Sequence, residues 1–146
     1  MQIKIKKCRE GAVIPQYATA GAACFDLCAV LDNEKIVTDN HPAIIPTGLQ
    51  FEIPVGYVMI VYSRSGHGFK YDVRLANCVG VVDSDYRGEV MVKLTHDGDD
   101  YHGLKVSNSD RIAQAMIIPV NQVSFEEVDT LSDTVRGEGG FGSTGK

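Results

Sequence analysis

Hydrophobic and polar residues alternate along much of the chain. Ile3 and Ile5 stand between lysines, residues 49–53 place Leu, Phe and Ile between Gln and Glu, and residues 90–94 place Val, Val and Leu between Met and Lys. A period of two is typical of a strand with one buried face and one exposed face. These segments therefore predict half-buried β-strands.

Two segments are more continuously apolar, YVMIVY at 57–62 and AQAMIIPV at 113–120. Such runs predict strands that are covered on both faces. Turn-forming residues separate the runs, and the stretch with the best prospect of a short helical turn is KYDVRLA at 70–76. The pattern predicts an all-β domain of many short strands, a jelly roll or a similar double sheet.

The chain has 146 residues, a length that fits one domain. Its last stretch differs from the rest, because residues 136–145 contain five glycines and one large apolar side chain, Phe141. Ordering so many glycines costs much backbone entropy. We therefore expect a folded β-domain over residues 1–130 and a flexible, glycine-rich C-terminal arm over residues 131–146.

Charge and cysteine content narrow the possible surroundings of the protein. Lys and Arg total 14 against 19 Asp and Glu, which gives a net charge of -5 and argues against broad contact with nucleic acid or an anionic membrane. No apolar run approaches the ~18 residues of a membrane span. The four cysteines follow no signal-like N-terminus, so we expect free thiols in a reducing cytoplasm and no structural zinc site.

The segment NCVGVVDSDYRGE at 77–89 holds the strongest catalytic candidate. Asp83 directly follows the apolar residues 79–82, where partial desolvation would raise its proton affinity toward that of a general base. Asp85 would share a strand face with Asp83, and Tyr86 is a typical packing aromatic. By spacing alone, the same segment also fits a solvated turn.

The segment YSRSGHG at 62–68 has the composition of a phosphate-binding loop. Arg64 offers a planar fork for phosphate oxygens, and Ser65 and the N–H of Gly66 add donors. The alternative is a turn with a solvated arginine, in which His67 is a surface residue.

Gln114 is a polar residue within the apolar run at 113–120. A buried amide needs a hydrogen-bond partner, so we expect it to be satisfied by backbone or by water.

The arm contains GFGSTGK at 140–146, which superficially fits the first part of a nucleotide-binding P-loop. It lacks the Ser or Thr that follows the lysine in that motif, and no helix follows to hold phosphates, so we do not expect a Walker-type ATPase. Arg136, Ser143 and Thr144 remain as possible phosphate donors and Phe141 as a stacking ring. The alternative is a disordered tail without a role.

Five segments occur in an order and spacing that span nearly the whole chain, and together they resemble the trimeric deoxyuridine triphosphatase (dUTPase) family. They are AACFDLCA at 22–29, SRSG at 63–66, GVVDSDYRGE at 80–89, RIAQ at 111–114 and RGEGGFGSTG at 136–145. The resemblance implies a jelly-roll homotrimer with three active sites, each assembled from all three chains. It also implies Mg²⁺-dependent hydrolysis of dUTP to dUMP and pyrophosphate, which keeps uracil out of DNA and supplies dUMP for thymidylate synthesis.

The resemblance implies roles for particular residues. Asp83 would be the general base that activates water, Gln114 would position that water or a phosphate, and Asp26 would meet the Mg²⁺ shell through water. The groups implied to hold the phosphate chain are Arg64, Ser65 and Gly66, with Arg136, Ser143 and Thr144 on the arm. The residues implied to contact uracil and deoxyribose are Asn77, Val79, Gly80, Val82, Tyr86, Phe141 and Gly142.

The sequence departs from the family pattern at two places. Cys24 stands where glycine is common, and His67-Gly68 follow SRSG in place of the more frequent Leu-Ala. We expect Asp85 to form structural hydrogen bonds without a catalytic role. Two other functions stay open: a dCTP deaminase, which shares the fold but lacks the stacking arm, and a nucleotide-controlled regulatory protein.

Overall fold

The computed structural model describes residues 1–38, 41–98 and 103–143. Within these ranges the chain forms eleven β-strands and one short helix. In chain order the elements are β1 Lys4–Lys7, β2 Phe25–Cys28, β3 Lys35–Val37, β4 Ala43–Pro46, β5 Leu49–Glu52, β6 Tyr57–Tyr62, α1 Ser65–Tyr71, β7 Val73–Leu75, β8 Val79–Val82, β9 Met91–His96, β10 Leu104–Val106 and β11 Arg111–Pro119. The predicted all-β class is confirmed.

The strands pair antiparallel and form two main sheets. One sheet has four strands in the order β2-β11-β6-β8, and the other has three in the order β4-β9-β7. Two further pairs, β1 with β5 and β3 with β10, complete the described sheets. Most neighbouring strands are distant in sequence, so the apolar faces of the sheets have to be assembled from residues along the whole chain.

The core is formed by the alternating apolar residues that the sequence pattern marks as inward-facing. Leu49, Phe51 and Ile53 are buried, and so are Val90, Val92 and Leu94, while the polar residues between them are more exposed. The largest completely buried side chains are Leu27, Ile45, Leu49, Met59, Leu75, Leu94 and Ile112. Burial of a side chain of this size contributes roughly 1.5–3 kcal/mol, so this layer holds the sheets together.

The helix lies earlier than the sequence predicts. It spans Ser65–Tyr71, and the prediction of a helical turn is wrong for the residues after Tyr71, where Val73–Leu75 form a strand. Asp72 ends the helix in a left-handed conformation with φ 49°, and its N–H donates to the carbonyl of His67. Val73 is then completely buried opposite His96, because packing of this β-branched side chain favours the strand.

After Pro119 the described chain contains no further strand or helix. Several large apolar side chains of this segment are exposed in the single chain: Val123, Phe125, Val128, Leu131, Val135 and Phe141. The division at residue 130 between body and arm stays a prediction.

All four cysteines are free thiols. Burial raises the pKa of the Cys28 thiol, and the Asp26 carboxylate raises it further, so this thiol is poorly nucleophilic at neutral pH. The described residues contain no helix with the length and apolar character that a membrane crossing requires.

Candidate active site

A row of four residues crosses the four-stranded sheet and contains three of the predicted site residues, Asp26, Gln114 and Val79. Asp26 on β2 is opposite Gln114 on β11, Gln114 is opposite Tyr62 on β6, and Tyr62 is opposite Val79 on β8. Residues that face each other across neighbouring strands point to the same side of a sheet. Asp26 and Gln114 therefore share one face, although they are far apart in sequence.

The Asp26 carboxylate lies between two arginines. Its Oδ2 is 3.1 Å from Nη1 of Arg111, and its Oδ1 is 3.4 Å from Nε of Arg64. Cys24, which occupies the position where glycine is common in the family, does not adopt a left-handed conformation. The strand therefore begins normally at Phe25 and directs Asp26 onto the common face.

Gln114 has the hydrogen-bond partner that its place in an apolar strand requires. Its Nε2 donates to the carbonyl of Ser63 at 2.9 Å. This bond fixes the amide next to the chain segment that leaves β6. Gln114 then lies beside Arg64 and Ser65 in an open depression that also includes Ser63, Gly68 and Phe69.

Arg64 joins the end of β6 to the start of α1. Its Nη1 donates to the carbonyl of Arg111 at 2.9 Å and lies 3.1 Å from Nε2 of His67. The N–H groups of Ser65 and Gly66 open the helix, where N–H groups have no partner within the helix. The segment thus supplies a guanidinium, a hydroxyl and backbone donors to one small region, a set suited to phosphate oxygens.

The turn between β7 and β8, which joins the two main sheets, forms the second part of the site. The N–H of Cys78 donates to the carbonyl of Leu75 at 3.0 Å, and the N–H of Val79 donates to the carbonyl of Asn77 at 2.6 Å. Cys78 has a φ of 61°, which is uncommon for a residue with a side chain and costs of order 1 kcal/mol. The turn is held in place because Ser63 Oγ accepts a hydrogen bond from the N–H of Leu75 at 2.9 Å.

A cleft of about 590 Å³ lies beside this turn and β8. Its lining includes Asn77, Gly80, Val82, Asp83 and Tyr86. A side chain at Gly80 would place its Cβ 3.2 Å from Cβ of Val61, so glycine keeps this wall of the cleft open. The volume is within the range of small-molecule sites.

Asp83 and Tyr86 lie at the rim of this cleft. Asp83 is exposed in the single chain, so the predicted partial desolvation is not provided by this chain alone. The Tyr86 hydroxyl donates to the carbonyl of Glu89 at 3.0 Å, which fixes the ring against the following turn. Asp85 is also exposed, and its side chain forms no hydrogen bond within the described parts of the chain, so the predicted structural bonding is not seen.

Glu89 is a supporting residue that sequence patterns do not single out. Its carboxylate accepts hydrogen bonds from Arg9 Nε at 2.7 Å and from the N–H of Gly48 at 2.8 Å. The hydrogen bond from Arg9 lowers the pKa of Glu89, so the pair stays charged at neutral pH. The turn that carries Asp83 is thereby anchored to the N-terminal part of the chain, a long-range contact that no local pattern indicates.

The two parts of the site lie far apart within one chain. Gly80 and Val82 are opposite Val61 and Met59, on the inner face of the sheet, whereas Val79, Asp26 and Gln114 lie on the other face. Val82, the residue before Asp83, is opposite Met59, five positions before Arg64, so Asp83 and Arg64 are separated by at least roughly 15 Å along the strands. A single chain therefore does not bring Asp83 to the phosphate-binding groups.

The arm residues form a third group, and those that the structure describes make no hydrogen bond or ion pair with the other two groups. Arg136 Nε donates to the carbonyl of Gly139 at 2.7 Å, and the hydrogen bonds recorded for residues 134–143 stay within that segment. Phe141 is completely exposed. Gly142 and Ser143 follow it, and Thr144 lies outside the described residues.

Within the described ranges, no three His, Cys, Asp or Glu side chains come together as a metal-binding group. Asp26 is instead a single carboxylate beside groups suited to phosphate. Mg²⁺ commonly takes one or two protein carboxylates and completes its shell with waters and substrate phosphates. The donor set fits Mg²⁺ that arrives with a phosphate chain.

Comparisons with known proteins agree on one family. A family model described as dUTPase matches residues 10–145. The chain is 46% identical over its full length to the whole deoxyuridine 5'-triphosphate nucleotidohydrolase of Nautilia profundicola. It is 42% identical to the enzyme of that name from Bdellovibrio bacteriovorus, covering 100% of this chain and 97% of the relative.

Solved structures agree on the fold. A mutant dUTPase of Staphylococcus bacteriophage 80alpha, solved with dUpNHpp, has a TM-score of 0.89 at 23% identity and 99% coverage of both chains. A mutant dUTPase from phage phi11 of S. aureus, described as showing the coordination of a structural Mg(II) ion, has a TM-score of 0.78 at 20% identity, covering 89% of this chain and 98% of that one. The predicted jelly-roll dUTPase fold is confirmed, and the chain belongs to the dUTPase family.

Proposed function

We propose that Asp83 is the general base of this chain's reaction, the hydrolysis of dUTP to dUMP and pyrophosphate by attack of water at the α-phosphorus. The observation that carries this role is the cleft beside β8, which has Asp83 at its rim. A carboxylate within reach of the attacking water can accept its proton as the bond to phosphorus forms. Pyrophosphate then leaves, and the proton moves from the carboxylate to solvent.

The cleft beside β8 supplies specificity for uracil and deoxyribose. Uracil presents an N3–H donor between two carbonyl acceptors, and the edge of a strand, with its backbone N–H and C=O groups, complements that pattern. Cytosine would leave a buried group unpaired at a cost of about 1–3 kcal/mol. Asn77 and the backbone from Val79 to Val82 carry this recognition, and the Tyr86 ring, fixed by Glu89, packs on deoxyribose and excludes a 2'-hydroxyl.

The groups that bind phosphate lie around the face of the sheet that carries Asp26 and Gln114. Arg64, Ser65 and the N–H of Gly66 bind the phosphate chain, and the Gln114 amide positions a phosphate or the attacking water. Asp26 holds Mg²⁺ through water, and the ion when bound neutralises phosphate charge. Phosphoryl transfer depends mainly on such positioning and neutralisation.

The active site is completed by other copies of the chain in a homotrimer. Asp83 and Arg64 are at least roughly 15 Å apart along the sheet, so one chain cannot place both beside the same α-phosphorus. The exposed apolar residues of β8 and of the segment after Pro119 provide surface that association would bury. From a third chain, the arm brings Arg136, Ser143 and Thr144 to the phosphates and stacks Phe141, next to Gly142, on uracil.

Product analysis tests the reaction. Parallel incubations with dUTP, dCTP, dTTP and UTP in Mg²⁺, with EDTA controls, are expected to give dUMP and pyrophosphate from dUTP alone, with loss of turnover in EDTA. Ammonia from dCTP would identify a deaminase. Nucleotide binding without any product would favour a regulatory role. We place the protein in the reducing cytoplasm.

Subunit mixing tests the shared active site. We expect Asp83→Asn and Arg64→Gln homotrimers to be nearly inactive, because each lacks one essential group at every site. After unfolding and joint refolding in equal amounts, roughly a quarter of the sites combine an intact Asp83 with an intact Arg64, so about that fraction of wild-type turnover returns. The measurement is dUTP turnover of the mixture against each variant refolded alone.

The control for subunit mixing is a chain that carries both substitutions, mixed with wild-type chains in the same ratio. A mixture of the two single variants that stays as inactive as its components would show that both groups act from the same chain, against the shared-site proposal.

A further inference from the structure

His67 contacts the arginine assigned to phosphate binding. Its Nε2 is 3.1 Å from Nη1 of Arg64, three residues earlier in the chain. An arginine is always a donor, so the imidazole must accept this hydrogen bond through an unprotonated Nε2. The contact therefore requires the neutral form of the ring, with its hydrogen on Nδ1.

Three protein groups together orient the guanidinium. His67 Nε2 and the carbonyl of Arg111 accept from Nη1, and the Asp26 carboxylate is 3.4 Å from Nε. No group within the described parts of the chain accepts a hydrogen bond from Nη2 of Arg64. The arrangement leaves that nitrogen for a phosphate oxygen while the rest of the guanidinium is held.

The surroundings of His67 oppose its protonation. The cavity around it is lined by charged groups from each neighbouring element: Lys70 and Arg64 from α1 and its start, Lys105 from β10, and Asp110 and Arg111 at the start of β11, with Tyr71 as a further titratable group. Four of these groups are cationic and one is a carboxylate. Burial lowers the pKa of His67, the Arg64 charge lowers it further, and Asp110 acts in the opposite direction.

Protonation would also break the contact with Arg64. Nδ1 is buried and has no hydrogen-bond partner in the structure, so its N–H is unpaired in the neutral ring and in the protonated ring alike. A protonated ring carries a second N–H on Nε2, which would point at the Arg64 guanidinium. The hydrogen bond from Arg64 would then be lost and replaced by repulsion between two cations.

We propose that neutral His67 is a positioning residue that holds Arg64 for the phosphate chain of dUTP, and that protonation of His67 releases Arg64 and weakens substrate binding. This inference rests on the proposed phosphate role of Arg64. Its chemical consequence is a substrate affinity that falls on the acid side of neutrality, below about pH 6.5.

The test compares His67→Gln and His67→Leu with the wild-type trimer by measuring kcat and KM for dUTP from pH 5.5 to 8. The Gln carbonyl accepts from Arg64 without titrating, whereas Leu removes the acceptor. At pH 8 we expect a near wild-type KM for Gln and a KM about fivefold higher for Leu, with kcat little changed in both. As the pH falls from 8 to 5.5, the wild-type KM should rise more than that of Gln, by at most about the fivefold of the Leu variant.

The controls separate this inference from the proposed function. Titration of dUTP itself affects every variant equally, and His41→Gln, which removes a histidine that contacts Thr38, should keep the wild-type pH profile. If Arg64→Gln raises KM but the wild-type and His67→Gln profiles coincide, or the Leu variant has a wild-type KM, the positioning role is wrong and the phosphate role stands. If Arg64→Gln leaves KM unchanged, the phosphate role fails and the inference fails with it.

Discussion

Replacing Asp83 with Asn should lower kcat for dUTP by about a thousandfold, since general-base catalysis contributes 10²–10⁴-fold. The amide has nearly the same shape but cannot accept the proton of the attacking water. Asp83 is exposed at the rim of the cleft and the structure assigns it no buried partner, so the substitution should not disturb folding. Binding of a non-hydrolysable analogue such as dUpNHpp should stay within a few-fold of wild type.

Asp85→Asn is the matched control for this experiment. It removes an equal charge two positions away in the same turn, from another exposed side chain. Steady-state turnover and calorimetric binding of the analogue should show a large loss of kcat for Asp83→Asn alone. Equal losses in both variants would indicate that the turn contributes general negative charge, and a near wild-type kcat for Asp83→Asn would remove Asp83 as the base.

Deleting residues 136–146 should lower kcat/KM for dUTP by about a hundredfold and leave a folded trimer. The hydrogen bonds of the described arm residues stay within the arm, so its removal breaks none of the hydrogen bonds that hold the body together. The lost activity reflects the phosphate donors and the ring that would close over bound substrate, and misplacement of substrate groups commonly costs about this factor. Gel filtration and thermal melting establish that the truncated chain still assembles.

Substitutions at Phe141 divide the effect of the arm into its parts. Phe141→Trp keeps an aromatic face and should retain most of the activity, with a fluorescence change when dUpNHpp binds. Phe141→Leu keeps apolar surface but not the stacking and should lose about tenfold in kcat/KM, in line with the 0.5–1.5 kcal/mol of an aromatic pair. An arm deletion with wild-type kcat/KM would mean that residues 136–146 are a linker.

The sequence is a good guide to the fold where burial follows the strand period. Leu49, Phe51 and Ile53 alternate with polar residues and are buried as that alternation predicts. The helix was harder to place because Ser65–Tyr71 contains no buried residue and hence no apolar stripe to detect. Its end is set by the left-handed Asp72 and by the demand of the core for Val73, and both depend on tertiary packing.

The site was predictable to the extent that its chemistry is carried by residue types. Gln114 was expected to need a partner and has one in the Ser63 carbonyl. The contacts of Arg64 with Asp26 and His67 depend on strand register and on the start of a short helix, which no local pattern of the sequence indicates. The exposure of Asp83 in the single chain likewise depends on tertiary packing, which the apolar run before it does not reveal.

Because Asp83 and Arg64 are far apart along the sheet of one chain, the proposed shared site makes catalysis depend on association of the chains. Under the proposed assembly, specific activity should fall when the enzyme is diluted below the dissociation constant of the trimer, even though each chain stays folded. In a cell, the rate of dUTP removal would then increase more steeply than linearly with expression level at low abundance. A chain that associates but lacks one of the two groups would also disable sites formed with intact neighbours.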